Sequence, residues 1–233
     1  MLNLDKITLY EDNHLIILDK PSGVLSQGDY TGDPNLFDLL KDHLKVKYQK
    51  PGNVYLALVN RLDRPVSGII LFGKTSKAAA RLHKMMQDGS IQKNYLAICE
   101  GHPIKEQATL EHYLIKDEAK NKTRVYEEPR KDAKKCILHY KALANIHGHC
   151  LLEVELKTGR SHQIRAQLAH ISCPVVGDTK YGKMHKGVES DLALHAYALD
   201  FEHPVSKEAI HIRCLPKSGK FWYEFRAFFN KLP

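Results

Sequence analysis

Residues 54–72 read VYLALVNRLDRPVSGIILF, and this stretch decides the fold. The apolar runs at its two ends predict strands over Val54–Val59 and Ile69–Phe72. Between them, Asn60–Gly68 is charged and contains proline and glycine, which predicts a short loop. Active-site residues are often placed on short polar loops held between rigid strands, so the loop is a candidate site.

Asp63 lies in this loop between Arg61 and Arg64. The two positive charges favour an ionised carboxylate, which can act as a nucleophile or a base. The alternative is a structural aspartate in a turn hydrogen bond or a surface ion pair. For an isolated pattern of this kind the structural alternative is the commoner one.

Outward from this stretch, strands outnumber helices. Short apolar runs predict further strands at His14–Asp19, Tyr95–Cys99, Ile137–Leu143, Leu151–Leu156, Leu192–Phe201 and Ile210–Cys214. Helical spacing of apolar residues predicts helices at Leu36–Val46, Thr75–Met86, Ser161–Ile171 and Phe221–Leu232. Because the two kinds of element do not alternate one for one, the sequence predicts an α+β fold over a doubly wound one.

Two helix ends and one charged stretch add detail. Thr75 or Ser76 is expected to cap its helix and Gly89 to end it, while Ser161 is a plausible N-cap for the next one. Lys116–Lys135 holds eight basic and five acidic residues, which predicts a solvated hairpin or loop. A phosphate-contacting arm is the more specific alternative.

A second polar segment reads KTGRSHQIR, Lys157–Arg165. It runs from a strand end into a helix start, where free backbone N–H groups together with Arg160 and His162 suit an anionic ligand. Ile164 is expected in the core, which places Arg165 at the rim of the buried face. From there its guanidinium can reach a buried carboxylate in bidentate geometry. An ordinary capped helix with surface arginines is the alternative.

Composition limits the classes of function. Thirty-five lysines and arginines against 27 acidic residues leave a net charge of +8, which favours a polyanionic partner such as RNA or DNA. The first ten residues show no secretory signal, and no apolar run approaches the ~20 residues that span a bilayer. The five cysteines are scattered, which predicts free thiols in a reducing cytoplasm.

Metal binding is not predicted by spacing. The 14 histidines include His147 with His149 and His203 with His211 as near neighbours, without a metal-binding motif or clustered carboxylates. The sequence therefore predicts no metal and no cofactor. Tyr95 lies on a predicted strand whose other face is apolar, and a core tyrosine is the commoner explanation for such a residue.

Six motifs in order over about 190 residues make the chain resemble the RluA family of pseudouridine synthases. The motifs are DKPSG at 19–23, RLD at 61–63 with SG at 67–68, KNYLA at 93–97, GRSHQIR at 159–165, VGD with YG at 176–182, and LHA with FEHP at 194–204. The resemblance runs nearly end to end, which implies a single catalytic domain, 1–233, of the α+β pseudouridine synthase fold. That fold has a mixed, mainly antiparallel central sheet with flanking helices and an RNA-binding cleft. It also implies the compact subgroup without an N-terminal S4 RNA-binding domain.

The resemblance implies a role for each site residue. Asp63 would be the essential catalytic carboxylate, Arg165 its arginine partner, and Tyr95 the residue that stacks on the target base. Arg61 would enter the RNA stack as the uridine flips out, and Ile164 would line the pocket floor. The implied reaction isomerises uridine to pseudouridine in tRNA or rRNA and needs neither a metal nor a redox group. Flipping the base out costs a few kcal/mol, and stacking on an aromatic side chain offsets about 1–3 kcal/mol of it.

The chain departs from the family pattern at three positions. Asn60 stands where histidine is usual, Val66 where threonine is usual, and Gln167 where histidine is usual. None replaces a catalytic residue, so we expect activity to survive. Two other classes compete with this interpretation: a non-catalytic RNA-binding protein or RNA chaperone on the same scaffold, and a metal-dependent nuclease, which the chain's lack of clustered acidic ligands disfavours.

Overall fold

A computed structural model describes residues 2–182, 192–230 and 232. The chain divides into two compact units. The first comprises Met1–Ile91 with Ala196–Cys214, and the second Gln92–His195 with Leu215–Pro233. A single domain over 1–233 stays a prediction.

The first unit is built on a sheet flanked by helices. Its elements are α1 (Leu4–Ile7), β1 (Thr8–Glu11), β2 (Leu15–Lys20), α2 (Leu36–Lys47), β3 (Ala57–Leu58), β4 (Ser67–Gly73), α3 (Ser76–Asp88), β10 (Leu194–Glu202) and β11 (Ala209–Arg213). The strand order is β1-β2-β4-β10, with β3 on β4 and β11 on β10. The pairs β1–β2, β2–β4, β3–β4 and β10–β11 are antiparallel.

Local sequence sets the helix ends in this unit. The side chain of Thr75 accepts a hydrogen bond from the Ala78 N–H at the start of α3, and Gly89 ends the helix in the left-handed conformation at φ +81°. Asn35 caps α2 in the same way through the Asp38 N–H. The predictions for both helices are confirmed to within two residues.

The core of the first unit lies between the sheet and α3. Its buried apolar residues are Leu15, Ile17, Val59, Ile69, Leu71, Leu82, Ile91, Leu199, Phe201, Ile210 and Cys214. Gly68 sets how closely β4 approaches β10: its φ is +108°, and an added Cβ would lie 2.2 Å from the carbonyl oxygen of Ala196. Only glycine fits there.

The second unit is an antiparallel sheet with two helices. Its elements are β5 (Gln92–Glu100), β6 (Gln107–Asp117), β7 (Lys122–Tyr126), β8 (Lys134–Ile146), β9 (His149–Leu156), α4 (Gln163–His170) and α5 (Lys220–Phe229). The strand order is β5-β9-β8-β6-β7, and every neighbouring pair is antiparallel. The predicted α+β class is confirmed, and the RNA-binding cleft stays a prediction.

The charged stretch 116–135 forms the β6–β7 hairpin and the connection to β8, which confirms the solvated hairpin. The C-terminal helix is confirmed as α5, although Lys231 lies outside the described residues. The strand predicted over Val54–Val59 is too long, because only Ala57 and Leu58 pair with β4.

The N-cap prediction for Ser161 is wrong. Helix α4 begins at Gln163, and His162 occupies the cap position with a left-handed φ of +54° and no side-chain cap. The Gln163 side chain instead accepts hydrogen bonds from the Arg160 N–H at 3.1 Å and the Thr158 hydroxyl at 2.8 Å. The turn before α4 is therefore stabilised by the side chain of Gln163, the first residue of the helix.

All five cysteines are free, as predicted, and the structure shows that all five are also buried. Among the described helices, none combines the length and apolar character needed to cross a bilayer.

Candidate active site

In the first unit, hydrogen bonds to backbone groups fix the loop that contains Asp63, both within the loop and against β4. The Val66 N–H donates to the Asp63 carbonyl at 3.0 Å, which closes a turn. Asn60 extends the contact with β4, since its side chain accepts from the Leu71 N–H at 2.7 Å and donates to the Ile69 carbonyl at 3.4 Å. Asn60 therefore holds the start of the loop against β4.

Ser26 holds the middle of the same loop. Its hydroxyl donates to the Leu62 carbonyl at 2.7 Å and accepts from the Leu62 N–H at 3.2 Å. Both residues are buried, so the pair is shielded from water. The residue immediately before Asp63 is thereby held on both its backbone groups.

Lys20 is the anchor of the loop. It has no exposed surface, and its ammonium group donates to the carbonyls of Pro21 at 3.0 Å, Val24 at 2.8 Å and Arg64 at 3.1 Å. One buried charge therefore binds the DKPSG turn to the residue that follows Asp63.

Burial lowers the pKa of Lys20 to about 7; the Asp63 carboxylate acts in the opposite direction, and Arg64 lowers it further. Asp63 therefore lies within electrostatic reach of a buried ammonium group. The sequence placed Lys20 in the DKPSG motif but did not predict a role for it. Its position at the end of an apolar strand could have indicated a buried lysine, because β2 is buried throughout.

The two arginines beside Asp63 differ in setting. Arg64 donates to the Asp33 carboxylate at 2.7 Å and to the Gly23 carbonyl at 3.0 Å, which fixes it against the turn. Arg61 is exposed to solvent. Its position suits contact with an external partner.

In the second unit, Arg165 forms a buried bidentate ion pair with Asp178. Its Nε lies 2.7 Å from Oδ2 and an Nη 2.8 Å from Oδ1, and the two side chains are 4% and 0% exposed. Burial raises the pKa of Asp178, but the hydrogen bond and charge of Arg165, together with the backbone N–H groups of Lys180 and Tyr181, hold that pKa below its usual value. A bidentate carboxylate partner for Arg165 was raised from the sequence, and the structure shows one. The expected position of Arg165 at the rim of the buried face is wrong, because the residue is only 3% exposed. Pairing of Arg165 with Asp63 stays a prediction.

Tyr181 connects this ion pair with His162. The Arg165 guanidinium carbon lies 5.4 Å from the Tyr181 ring centre, and the Tyr181 hydroxyl lies 2.9 Å from His162 Nδ1. The same hydroxyl accepts from the Thr123 N–H at 2.6 Å, and burial raises the pKa of Tyr181. Sequence reasoning quoted Asp178 and Tyr181 as motif residues without assigning them this contact.

Tyr95 and Ile164 are both buried, at 7% and 5% exposure. Tyr95 lies opposite Val154 in the β5–β9 pairing, and Ile164 lies in the first turn of α4. Arg160 is exposed, with its Nε on the Lys135 carbonyl at 3.3 Å.

The second unit thus holds Tyr95, Arg160, His162, Ile164 and Arg165, while Asp63 and Arg61 belong to the first. Within the second unit the structure links His162 and Arg165 through Tyr181, and Arg160 to α4 through Gln163.

Two further features of the second unit contain none of these residues. A surface depression of about 490 Å³ is lined by residues of β5, β6, β8 and β9, including Lys141, Glu153 and Glu155. Its acidic groups do not favour a polyanion. A group able to hold a metal ion comprises His112, Glu127 and His170.

Comparison with known proteins gives one family. A model of RNA pseudouridylate synthase matches residues 14–170. Ribosomal large subunit pseudouridine synthase C of Buchnera aphidicola subsp. Baizongia pistaciae is 32% identical over 216 residues, covering 89% of this chain and 66% of the relative. The tRNA pseudouridine synthase C of Haemophilus ducreyi is 31% identical over 230 residues, covering 89% of each. The chain spans about two thirds of the length of the ribosomal relative.

Solved structures with the same fold include two human proteins. Human RNA Pseudouridylate Synthase Domain Containing 4 gives a TM-score of 0.78 at 21% identity, covering 97% of this chain and 94% of that one. Human RNA Pseudouridylate Synthase Domain Containing 1 gives 0.72 at 21% identity, covering 92% and 84%.

Proposed function

The chain belongs to the RNA pseudouridylate synthase family, and from that premise we propose that it isomerises uridine to pseudouridine in RNA with Asp63 as the catalytic carboxylate. The observation that carries the proposal is the set of hydrogen bonds that fix the loop containing Asp63. Its loop is fixed by Lys20 on one side and by Ser26 at the preceding residue. These contacts fix the backbone on both sides of Asp63, and such preorganisation supports a catalytic role for its carboxylate.

The reaction breaks the N1–C1′ glycosidic bond of uridine and forms a C5–C1′ bond; the C5 proton is released to water and N1 takes up a proton. The isomerisation is redox-neutral overall and needs no external oxidant or reductant. Asp63 can serve by attack on the base, by attack on the sugar carbon, or by stabilising an eliminated glycal. The three differ in what Asp63 bonds to, and all of them need its carboxylate.

The other site residues have proposed roles around that chemistry. Tyr95 stacks on the target base and Ile164 lines the pocket. Arg165, whose orientation is supported by its bidentate pair with Asp178, serves as the arginine partner of the carboxylate. Arg61, which is exposed, enters the RNA stack as the uridine leaves it. Stacking on a tyrosine offsets roughly 1–3 kcal/mol of the flipping cost.

The proposed substrate is tRNA or rRNA, and the proposed place of action is the cytoplasm. The net charge of +8 supports a polyanionic partner, because phosphate binding by lysine and arginine releases counterions. Arg160 and His162, before the start of α4, are proposed to bind RNA. Relatives named for both ribosomal RNA and tRNA enzymes make each class a candidate.

The test is release of tritium from unmodified tRNA and rRNA transcripts labelled at uracil C5. The reactions contain EDTA, and Asp63→Asn is compared with wild type and with Asp42→Asn, a matched change at an exposed position on α2. We expect release by wild type and Asp42→Asn, and none by Asp63→Asn, which should still bind RNA in a filter assay.

Other outcomes would change the proposal. No release from any transcript, with tight RNA binding intact, would favour the non-catalytic RNA-binding protein. Release by Asp63→Asn would mean that the carboxylate is assigned wrongly. RNA cleavage that EDTA abolishes would favour a metal-dependent nuclease.

A further inference from the structure

Three side chains that are far apart in sequence meet at one edge of the second unit. His112 lies on β6, Glu127 directly follows β7, and His170 is the last residue of α4. Nε2 of His170 lies 2.6 Å from one Glu127 carboxylate oxygen, and Nε2 of His112 lies 3.4 Å from the other. The candidate ligand atoms of all three lie within 4.8 Å of one another.

Two imidazoles and one carboxylate are a common ligand set for zinc and other divalent transition-metal ions. Metal–ligand bonds of about 2.0–2.2 Å require the three donors to converge slightly. The side chains of Glu127 and His170 are 67% and 33% exposed, so both can move by that amount, while His112 is fixed at 6%. The exposed side of Glu127 leaves room for water to complete the coordination.

Gln167 supplies an independent observation. The Gln167 side chain is fully buried, its amide nitrogen contacts His112 Nδ1 at 2.9 Å, and its Oε1 has no hydrogen-bond partner among the described residues. A ligating histidine donates its other ring N–H to an oxygen acceptor. Binding of a metal ion by Nε2 of His112 would require the Gln167 amide to rotate by half a turn, so that Oε1 accepts from Nδ1–H. The amide nitrogen would then give up its hydrogen bond to the Leu110 carbonyl, which is 3.3 Å long here.

We propose that His112, Glu127 and His170 form a binding site for one divalent transition-metal ion, with Gln167 orienting His112. The site would tie β6, the end of β7 and the C-terminus of α4 to one another. A cation at a helix C-terminus is favoured by the helix dipole. The expected role is stabilisation of the second unit, since none of the proposed catalytic residues takes part.

The experiment titrates Zn²⁺ alone into chelator-treated full-length protein by calorimetry, with Co²⁺ absorption as a second measurement. Glu127→Gln and His170→Ala remove ligands at exposed positions. Glu128→Gln and His102→Ala are matched controls at exposed positions of the same unit, which is necessary in a chain with 14 histidines. Circular dichroism verifies that all variants fold.

We expect one Zn²⁺ per chain in wild type and both controls, with a raised unfolding temperature and a Co²⁺ spectrum of nitrogen and oxygen ligands. Loss of a ligand should weaken binding at least tenfold, since even outer partners of metal ligands contribute roughly 10–100-fold. Equal affinity in all five proteins, or no saturable binding in wild type, would overturn the proposal. The cluster would then be a hydrogen-bonded group only.

Discussion

Replacing Lys20 by methionine should change how the stability of the protein depends on pH. Burial places the pKa of Lys20 at about 7, against an ordinary value of 10.5. The unfolded chain therefore binds more protons than the folded one between these values, and wild-type stability gains from this group as pH rises. The penalty of the buried charge is present in full below pH 7 and is relieved towards pH 10.5.

The difference between the two pKa values corresponds to a change of about 5 kcal/mol in the free energy of unfolding from below pH 7 to above pH 10.5, at roughly 1.4 kcal/mol for each pKa unit. Between pH 7 and pH 9 about 2 kcal/mol of it should appear. The methionine variant lacks the titrating group, so the free energy of unfolding of wild type minus that of Lys20→Met should rise by that amount. Other titrating groups cancel in the difference.

Urea unfolding followed by circular dichroism at pH 6, 7, 8 and 9 measures this difference. Lys84→Met removes the same charge from the exposed surface of α3 and reports the pH effect of losing any one lysine. A difference that is flat in pH, or that falls as pH rises, would refute the buried ammonium group as the anchor of the Asp63 loop.

The remaining predictions concern other contacts. Asp178→Asn leaves the Arg165 guanidinium without its buried carboxylate and should cost about 3–5 kcal/mol in urea unfolding. Gly68→Ala, which would drive a Cβ into the Ala196 carbonyl, should cost about 3 kcal/mol or more in thermal unfolding. The five cysteines are buried, so they should react slowly with Ellman's reagent in the native protein at pH 8. In the unfolded protein all five should react rapidly.

Two control substitutions of the same type at exposed or open positions show how much stability is lost without the buried contacts. Asp33→Asn breaks a half-exposed pair with Arg64 and should cost no more than about 1 kcal/mol. Gly148→Ala has a φ of +79° but open space for a Cβ, so about 1 kcal/mol of backbone strain is expected. Equal losses at the buried and exposed positions would contradict the packing argument.

The local elements could be predicted because their causes lie in neighbouring residues. Thr75 and Gly89 set the ends of α3 through a side-chain cap and a left-handed glycine, and both are visible in the sequence. The α+β class followed from the number and order of the predicted strands and helices, and the family resemblance, confirmed by the match over residues 14–170, agrees with it. Ser161 misled because a suitable cap residue is only one way to begin a helix, and the Gln163 side chain supplied another.

The long-range contacts could not be predicted. Asp178 meets Arg165 across 13 residues, and Lys20 meets the Arg64 carbonyl across 44. The His112 and His170 rings meet only because β6 and α4 pack together. Spacing in the chain carries no information on such pairs until the strand order is known. For that reason the spacing of the histidines gave no indication of the metal site proposed above.

Direct detection of pseudouridine tests the central claim. RNA treated with wild type, Asp63→Asn or Asp42→Asn is digested to nucleosides, and pseudouridine is separated from uridine by chromatography. We predict one pseudouridine for each tritium released from C5 by wild type and Asp42→Asn, and none with Asp63→Asn. Pseudouridine formed by Asp63→Asn, or tritium released without any pseudouridine, would contradict the assignment of Asp63 as the catalytic carboxylate of an RNA pseudouridine synthase.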